Sequence, residues 1–127
     1  MLDDRTVLRS DLAGQHYIAW DQKSNRFGWE SYLSLPGGID DVPEYAVPAR
    51  RADLSGLPPA WIGVGTVDLF HDEAVAYAER LKACAVPCEI EIVPGAFHGF
   101  DVFDPTISLV QAFRRSQIAA LRKYLFP

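Results

Sequence analysis

The second half of the chain alternates between two hydrophobic patterns, and this alternation restricts the fold more than any other feature. Residues 60–65 form an unbroken apolar run with β-branched members, which is typical of a strand buried on both faces. Residues 88–93 alternate polar with apolar side chains and end at Pro94 and Gly95, which predicts a strand with one exposed face at a sheet edge. A segment with helical spacing follows each strand.

Two helices are predicted after these strands. Apolar residues recur three and four positions apart between Asp72 and Ala85, with acidic residues in the first turn and Pro87 beyond the end. Asp104 as the N-cap and Pro105 at the first helical position predict a last helix that continues almost to residue 127. Residues 60–127 therefore form a βαβα unit, so an α/β fold with parallel strands is predicted.

Residues 1–59 are predicted to be mostly loop, because prolines and glycines interrupt residues 35–60 too often for a long helix. A short helix that ends near Leu33 is expected before them, with Ser24 and Asn25 as its cap. Met1-Leu2 would add a third strand. We therefore expect one domain over residues 1–127, with a small parallel sheet of two or three strands and flanking helices. Such a sheet has an unprotected edge, so it is expected to be part of a larger one.

The composition excludes several classes of protein. The 127 residues carry 12 Lys and Arg against 17 Asp and Glu, and 49% are hydrophobic, so a folded, net acidic domain is expected. A net charge of −5 without a basic cluster repels phosphates, so neither nucleic acid nor an anionic membrane is an expected partner. Because the sequence has no apolar run of membrane-span length and no signal-peptide pattern, a cytoplasmic location is expected.

The sequence predicts neither a metal nor a cofactor. Cys84 and Cys88 are separated by three residues, which fits neither a C-x-x-C redox pair nor a zinc knuckle, so both are interpreted as free thiols. The three histidines do not cluster with other ligand residues. A flavodoxin-like ligand binder is disfavoured because no G-x-G-x-x-G or Walker sequence occurs.

Two polar residues follow the predicted strands. Asp68 comes after the first strand and His98 after the second. Because the carboxyl ends of parallel strands share one edge of a sheet, these side chains are predicted to meet. A carboxylate that accepts from Nδ1–H fixes the tautomer of an imidazole and leaves Nε2 to take a proton from a nucleophile. The structural alternative is that Asp68 caps the next helix and His98 packs among aromatic residues.

An ordered series of motifs around these residues resembles a known family. The series comprises Leu57-Pro58-Pro59-Ala60, Asp68 with Asp72-Glu73, Tyr77-Ala78-Glu79-Arg80-Leu81 and Pro94-Gly95-Ala96-Phe97-His98-Gly99-Phe100. With Met1-Leu2-Asp3-Asp4-Arg5 and the segment from Trp29 to Leu33, it resembles the C-terminal part of the hormone-sensitive-lipase-like carboxylesterases. These enzymes are a branch of the α/β-hydrolase fold. The resemblance covers nearly the whole chain and implies a partial α/β-hydrolase fold.

The resemblance implies roles for individual residues. Asp68 corresponds to the acid and His98 to the base of the family's Ser-Asp-His catalytic triad. Asp72 and Glu73 correspond to an acidic pair that is expected to help hold the Asp68 loop. Phe100 and Trp20 are expected to have ordinary packing roles, and the alternative is that they line an acyl or alcohol pocket.

The nucleophile of that family is absent from this sequence. The family carries its serine in a G-x-S-x-G elbow and builds its oxyanion hole with a His-Gly-Gly segment. No serine here has glycine both two residues before and two residues after it, and no His-Gly-Gly occurs. Because a triad acts as a unit, the chain alone is expected to show little catalysis. If the chain alone were catalytic, Ser55 would be the first serine to test as the nucleophile.

Two functions are compatible with these residues. The first is the C-terminal portion of a serine carboxylic-ester hydrolase, an esterase or lipase, which supplies Asp68 and His98 to a site completed by other residues. A small-molecule ester is then a substrate only of the completed site. The alternative is a non-catalytic interaction or dimerisation module derived from the hydrolase fold, which pairs through its open sheet edge.

The chain on its own is expected to form a homodimer or higher oligomer. It would bury residues 1–20 or the edge formed by residues 88–93, since the isolated chain would otherwise leave apolar surface in water. The apolar side chains expected to be exposed near the N-terminus are Leu2, Val7, Leu8 and Leu12.

Overall fold

Two parallel strands flanked by helices form the centre of the fold in the computed structural model, which describes residues 1–126. The helices and strands are α1 (Gln22–Leu33), β1 (Ala60–Gly65), α2 (His71–Ala83), β2 (Cys88–Val93), α3 (Phe100–Phe103) and α4 (Ser108–Leu125). Short 3₁₀ helices lie at Asp4–Leu8, Ser10–Leu12 and Pro48–Arg50. The strands pair in parallel, with Ala60 opposite Cys88 and Gly65 opposite Val93. The predicted α/β class and the bounds of both strands are confirmed.

Alternate residues of β1 contact different helices. Ile62 packs with Leu81 of α2 in a cluster around the fully buried Leu54. Trp61 contacts Phe113 of α4, with ring centroids 5.1 Å apart. Since neighbouring residues of a strand point to opposite faces, α2 covers one face of the sheet and α4 the other.

The strands are less buried than their apolar sequences predict. In β1 only Val64 and Gly65 are buried, and residues 60–63 are partly exposed. Ile92 of β2 has 42% of its surface exposed. Within residues 1–126 the sheet has two strands, so each strand has an open edge. The expected third strand at residues 1–2 does not form.

Two helices begin at other residues than predicted. Asp21, and not Ser24 or Asn25, caps α1: its carboxylate accepts the Ser24 N–H at 2.7 Å. Asp104 uses its carboxylate to close a turn by accepting the Thr106 N–H at 2.8 Å. Because of that turn, the last helix begins later in the chain than predicted, at Ser108. Asp, Ser and Asn all serve as N-caps, so residue type alone did not distinguish Asp21 from Ser24 and Asn25. Asp104 was misassigned because Asp stabilises turns as well as helix starts.

The N-terminal residues fold back onto the rest of the chain. Val7 and Leu12, expected to be exposed, are buried, whereas Leu8 is exposed. Val7 packs against Trp29 of α1. No helix in the described part of the chain is long and apolar enough to span a membrane.

Candidate active site

The loops that follow β1 and β2 are bonded to each other. Val67 donates its N–H to the Ala96 carbonyl at 3.1 Å, and Gly95 donates its N–H to Thr66 Oγ1 at 2.8 Å. Gly65 permits this approach, because a Cβ at that position would overlap the Ala96 carbonyl group. The two loops that carry the predicted site residues are therefore held side by side.

The structure brings Asp68 and His98 into direct contact. His98 Nδ1 lies 3.1 Å from Asp68 Oδ2, and Asp68 Oδ1 accepts the Phe70 N–H at 2.9 Å. The Asp68 side chain is 8% exposed and that of His98 38% exposed, so the carboxylate is sheltered while the imidazole reaches the surface. An ionised carboxylate only accepts hydrogen bonds, so Nδ1 donates, and in the neutral imidazole Nε2 is then an acceptor. The predicted proximity is observed, and the bond to Phe70 shows that Asp68 also stabilises the turn before α2.

Two aromatic rings flank the imidazole of His98. Phe70 lies edge to face with it, with ring centroids 5.2 Å apart, and Trp20 lies at 5.8 Å. Sequence reasoning missed both contacts. Phe70 was detectable in principle, since it lies only two residues after Asp68, whereas Trp20 belongs to an irregular loop without a periodic pattern.

The acidic pair at the start of α2 anchors the N-terminal segment, and not the Asp68 loop as expected. Glu73 accepts the Leu2 N–H at 2.6 Å, and burial raises the pKa of the Glu73 carboxyl. Asp72 accepts from the Arg9 guanidinium at 2.7 Å. Glu73 also accepts from the Thr6 hydroxyl, so the two acidic residues connect α2 to residues 2–9 of the N-terminal segment.

Among residues 1–126, no serine hydroxyl is hydrogen-bonded to the His98 imidazole. Ser55 donates its hydroxyl hydrogen to Asp53 at 2.9 Å in an exposed turn. This turn precedes β1, whereas His98 follows β2 at the opposite end of the parallel strands. Cys84 and Cys88 are free thiols and partly buried. Within residues 1–126, no three or more His, Cys, Asp or Glu side chains are grouped so as to hold a metal ion.

Comparison with known proteins agrees with this fold. A family model described as alpha/beta hydrolase fold matches residues 1–102. Carboxylesterase NlhH of Mycobacterium tuberculosis is 38% identical over 75 residues, which are 59% of this chain and 24% of that protein. Esterase LipI of the same species is 31% identical over 91 residues, 70% of this chain and 28% of that protein. The chain thus spans about a quarter of the length of the curated relatives it matches.

Solved structures are similar over the whole chain. Esterase LipW from Mycobacterium marinum superposes with a TM-score of 0.84 at 38% identity, and the match covers 100% of this chain and 39% of LipW. A bacterial heroin esterase superposes with a TM-score of 0.84 at 29% identity, over 100% of this chain and 41% of that protein.

The chain forms a two-stranded parallel sheet between α2 and α4, with polar residues at the carboxyl ends of the strands, and this arrangement is part of an α/β-hydrolase fold. The chain belongs to the α/β-hydrolase fold family. Within that family, the predicted resemblance to the hormone-sensitive-lipase-like carboxylesterases is confirmed.

Proposed function

We propose that this chain supplies the acid and the base of a serine carboxylic-ester hydrolase whose nucleophile and oxyanion hole come from residues outside this sequence. The hydrogen bond between Asp68 and His98, at the shared end of β1 and β2, carries the proposal. The names of the relatives, which are carboxylesterases and esterases, support the reaction class.

The geometry fits the base role of His98 in ester hydrolysis. With Nδ1 held by Asp68, Nε2 accepts the proton of a serine hydroxyl as that oxygen attacks the ester carbonyl. The imidazolium then returns the proton to the leaving alcohol, and Asp68 stabilises the positive charge in between. A water molecule, activated by the same nitrogen, releases the acid product from the acyl-enzyme.

The test is to complete the site. This chain is mixed or co-expressed with an N-terminal segment of an α/β-hydrolase esterase chosen to contain the G-x-S-x-G elbow, and hydrolysis of a short-chain aryl ester is measured. The mixture is expected to hydrolyse the ester. His98→Ala should lower the rate by about 10⁶-fold and Asp68→Asn by about 10⁴-fold. His16→Ala, at an exposed position, is the matched control.

The other outcomes separate the remaining hypotheses. An active mixture that His98→Ala does not affect would reject the triad role. A robust rate from this chain alone would place a nucleophile among its own residues, with Ser55 tested first. Assembly without hydrolysis would favour the non-catalytic interaction module.

A further inference from the structure

Three aromatic rings form a closed group at the candidate site. The centroid of the Trp20 ring lies 5.8 Å from that of His98, with the planes at 48°. The centroid of the Phe70 ring lies 5.2 Å from that of His98, with the planes at 76°. Trp20 and Phe70 also contact each other at 6.4 Å. Because each ring touches the other two, the imidazole cannot turn far about its side-chain bonds without meeting an aromatic neighbour.

Helix α1 supports the Trp20 ring from behind. A Cβ at Gly28 would lie 3.4 Å from Trp20 Cζ2, which is van der Waals distance, so this part of α1 packs directly against the indole. Ala19, directly before Trp20, has a φ of 68°, in the left-handed region that disfavours alanine. A strained conformation persists only where the surrounding packing holds it, and here the residue that follows is wedged between α1 and His98.

The polar group of the indole does not explain this placement. Trp20 Nε1 is buried and has no hydrogen-bond partner among the described residues, although a buried indole N–H usually has one. The contact therefore depends on the size and shape of the ring.

We infer that Trp20 is a positioning residue that, together with Phe70, confines the His98 imidazole so that Nδ1 stays on Asp68 and Nε2 stays available. This inference rests on the proposed function for its catalytic consequence, but the orientation of the imidazole is a property of this chain alone. Phenylalanine in place of Trp20 preserves a flat ring and removes the unpaired donor, so Trp20→Phe should keep much of the effect, whereas Trp20→Ala should abolish it.

The orientation is tested by NMR on the chain labelled with ¹⁵N-histidine. In the wild type we expect His98 to be the Nδ1–H tautomer, with its ring protons shifted by the neighbouring aromatic rings. Trp20→Ala should remove that shift and mix the two tautomers, and Trp20→Phe should retain the tautomer. Trp20→Leu, which keeps part of the apolar volume and removes the ring, should also mix the two tautomers, and it keeps the test open if Trp20→Ala does not fold. Phe27→Ala, which removes an exposed ring of α1, is the matched control.

The catalytic consequence is tested in the completed enzyme. Trp20→Ala should lower kcat by about 10–100-fold with little change in KM, because a misplaced base costs rate more than binding, and Trp20→Phe should restore most of kcat. A His98 imidazole that remains the Nδ1–H tautomer in both Trp20→Ala and Trp20→Leu would overturn the inference. Tautomer mixing in Trp20→Ala alongside an inactive wild-type mixture would support the positioning role and reject the proposed function.

Discussion

The carboxylate of Asp4 is fully buried and joins two distant parts of the chain. Its oxygens accept from Arg50 Nε and Nη2, each at 2.8 Å, and from the Gly38 N–H at 2.7 Å. A carboxylate is stable inside a protein only with such partners, because leaving water is costly. This ion pair therefore fixes the first 3₁₀ helix against the loop of residues 37–50.

Removal of the Asp4 carboxylate should strongly destabilise the protein. Asp4→Ala leaves the Arg50 guanidinium, whose side chain is only 17% exposed, without its counter-ion, so we expect a loss of about 3–5 kcal/mol in the free energy of unfolding. Urea denaturation measures this loss. Lys123→Ala breaks the exposed pair with Glu89 and should leave the midpoint unchanged. Equal losses of unfolding free energy in the two variants would show that the buried ion pair stabilises the protein no more than the exposed one.

Glu73 should make stability depend on pH. Burial raises the pKa of its carboxyl above the ordinary 4.5, while the Thr6 hydroxyl and the Leu2 N–H lower it less. The folded state therefore binds this proton at a higher pH than the unfolded chain does. As a result, the contribution of Glu73 to the free energy of unfolding increases as the pH falls from above the raised pKa towards 4.5. Below that window it is constant.

Glu73→Gln isolates this contribution. The amide keeps both hydrogen bonds, accepting from Leu2 and donating to Thr6, but cannot titrate in this range. The free energy of unfolding of the wild type minus that of this variant should therefore increase as the pH is lowered from neutral to about 5. A pH of about 5 is near the ordinary pKa of glutamate. Glu30→Gln, at an exposed position of α1, is the matched control. A difference that does not change with pH would show that the folded protein does not raise this pKa.

The sequence predicts the Asp68–His98 contact but not the Trp20 contact, for a physical reason. The first depends on two strands with clear periodicity and on the rule that parallel strands end at a common edge. The second depends on the path of residues 13–20, which have no periodicity and turn through a left-handed Ala19. Local sequence does not determine where such a loop packs, because the packing partner lies far away in the chain.

At the scale of elements, the close approach of β1 to the loop after β2 determines where His98 lies. Both strands were predictable to the residue, since their side-chain patterns differ from those of the flanking helices. The start of α4 was not, because Asp104 and Pro105 suit a turn as well as a helix N-terminus. The approach itself depends on Gly65, whose missing side chain leaves room for the Ala96 carbonyl.

Gly65→Ala should displace the His98 loop. The new Cβ overlaps backbone atoms of Ala96, which cannot rotate away as a side chain can. We expect a loss of stability larger than that of Gly56→Ala, where a Cβ meets nothing within 4 Å and a φ of +74° imposes only the backbone cost of about 1–2 kcal/mol. Thermal unfolding measures the two losses, and the NMR signals of His98 should shift in Gly65→Ala alone. A smaller loss in Gly65→Ala than in Gly56→Ala would contradict this account.

At the scale of the molecule, apolar surface remains uncovered on α4 and beside β1. Ile118, Leu121 and Leu125 recur three and four residues apart and are all exposed. Leu121 and Leu125 line an open groove of about 370 Å³ with Trp61 of β1. An amphipathic helix normally buries such a stripe, so this surface is where we expect the residues that complete the proposed hydrolase to pack.

The last prediction concerns the chain on its own, which we expect to associate with itself. Both strands have an open edge, and each apolar side chain moved out of water contributes about 1.5–3 kcal/mol. Of the two surfaces that the sequence suggested, residues 1–20 already bury Val7 and Leu12 within the chain, so the edge at Cys88–Val93 is the one we expect to pair. Ile92→Lys places a charge on that edge and should convert a dimer into a monomer in sedimentation velocity at micromolar concentration. Leu8→Lys, which changes an exposed residue of the other surface, should leave the dimer intact. A monomeric wild type, or a dimer that Leu8→Lys dissociates and Ile92→Lys does not, would show that this edge is not the interface.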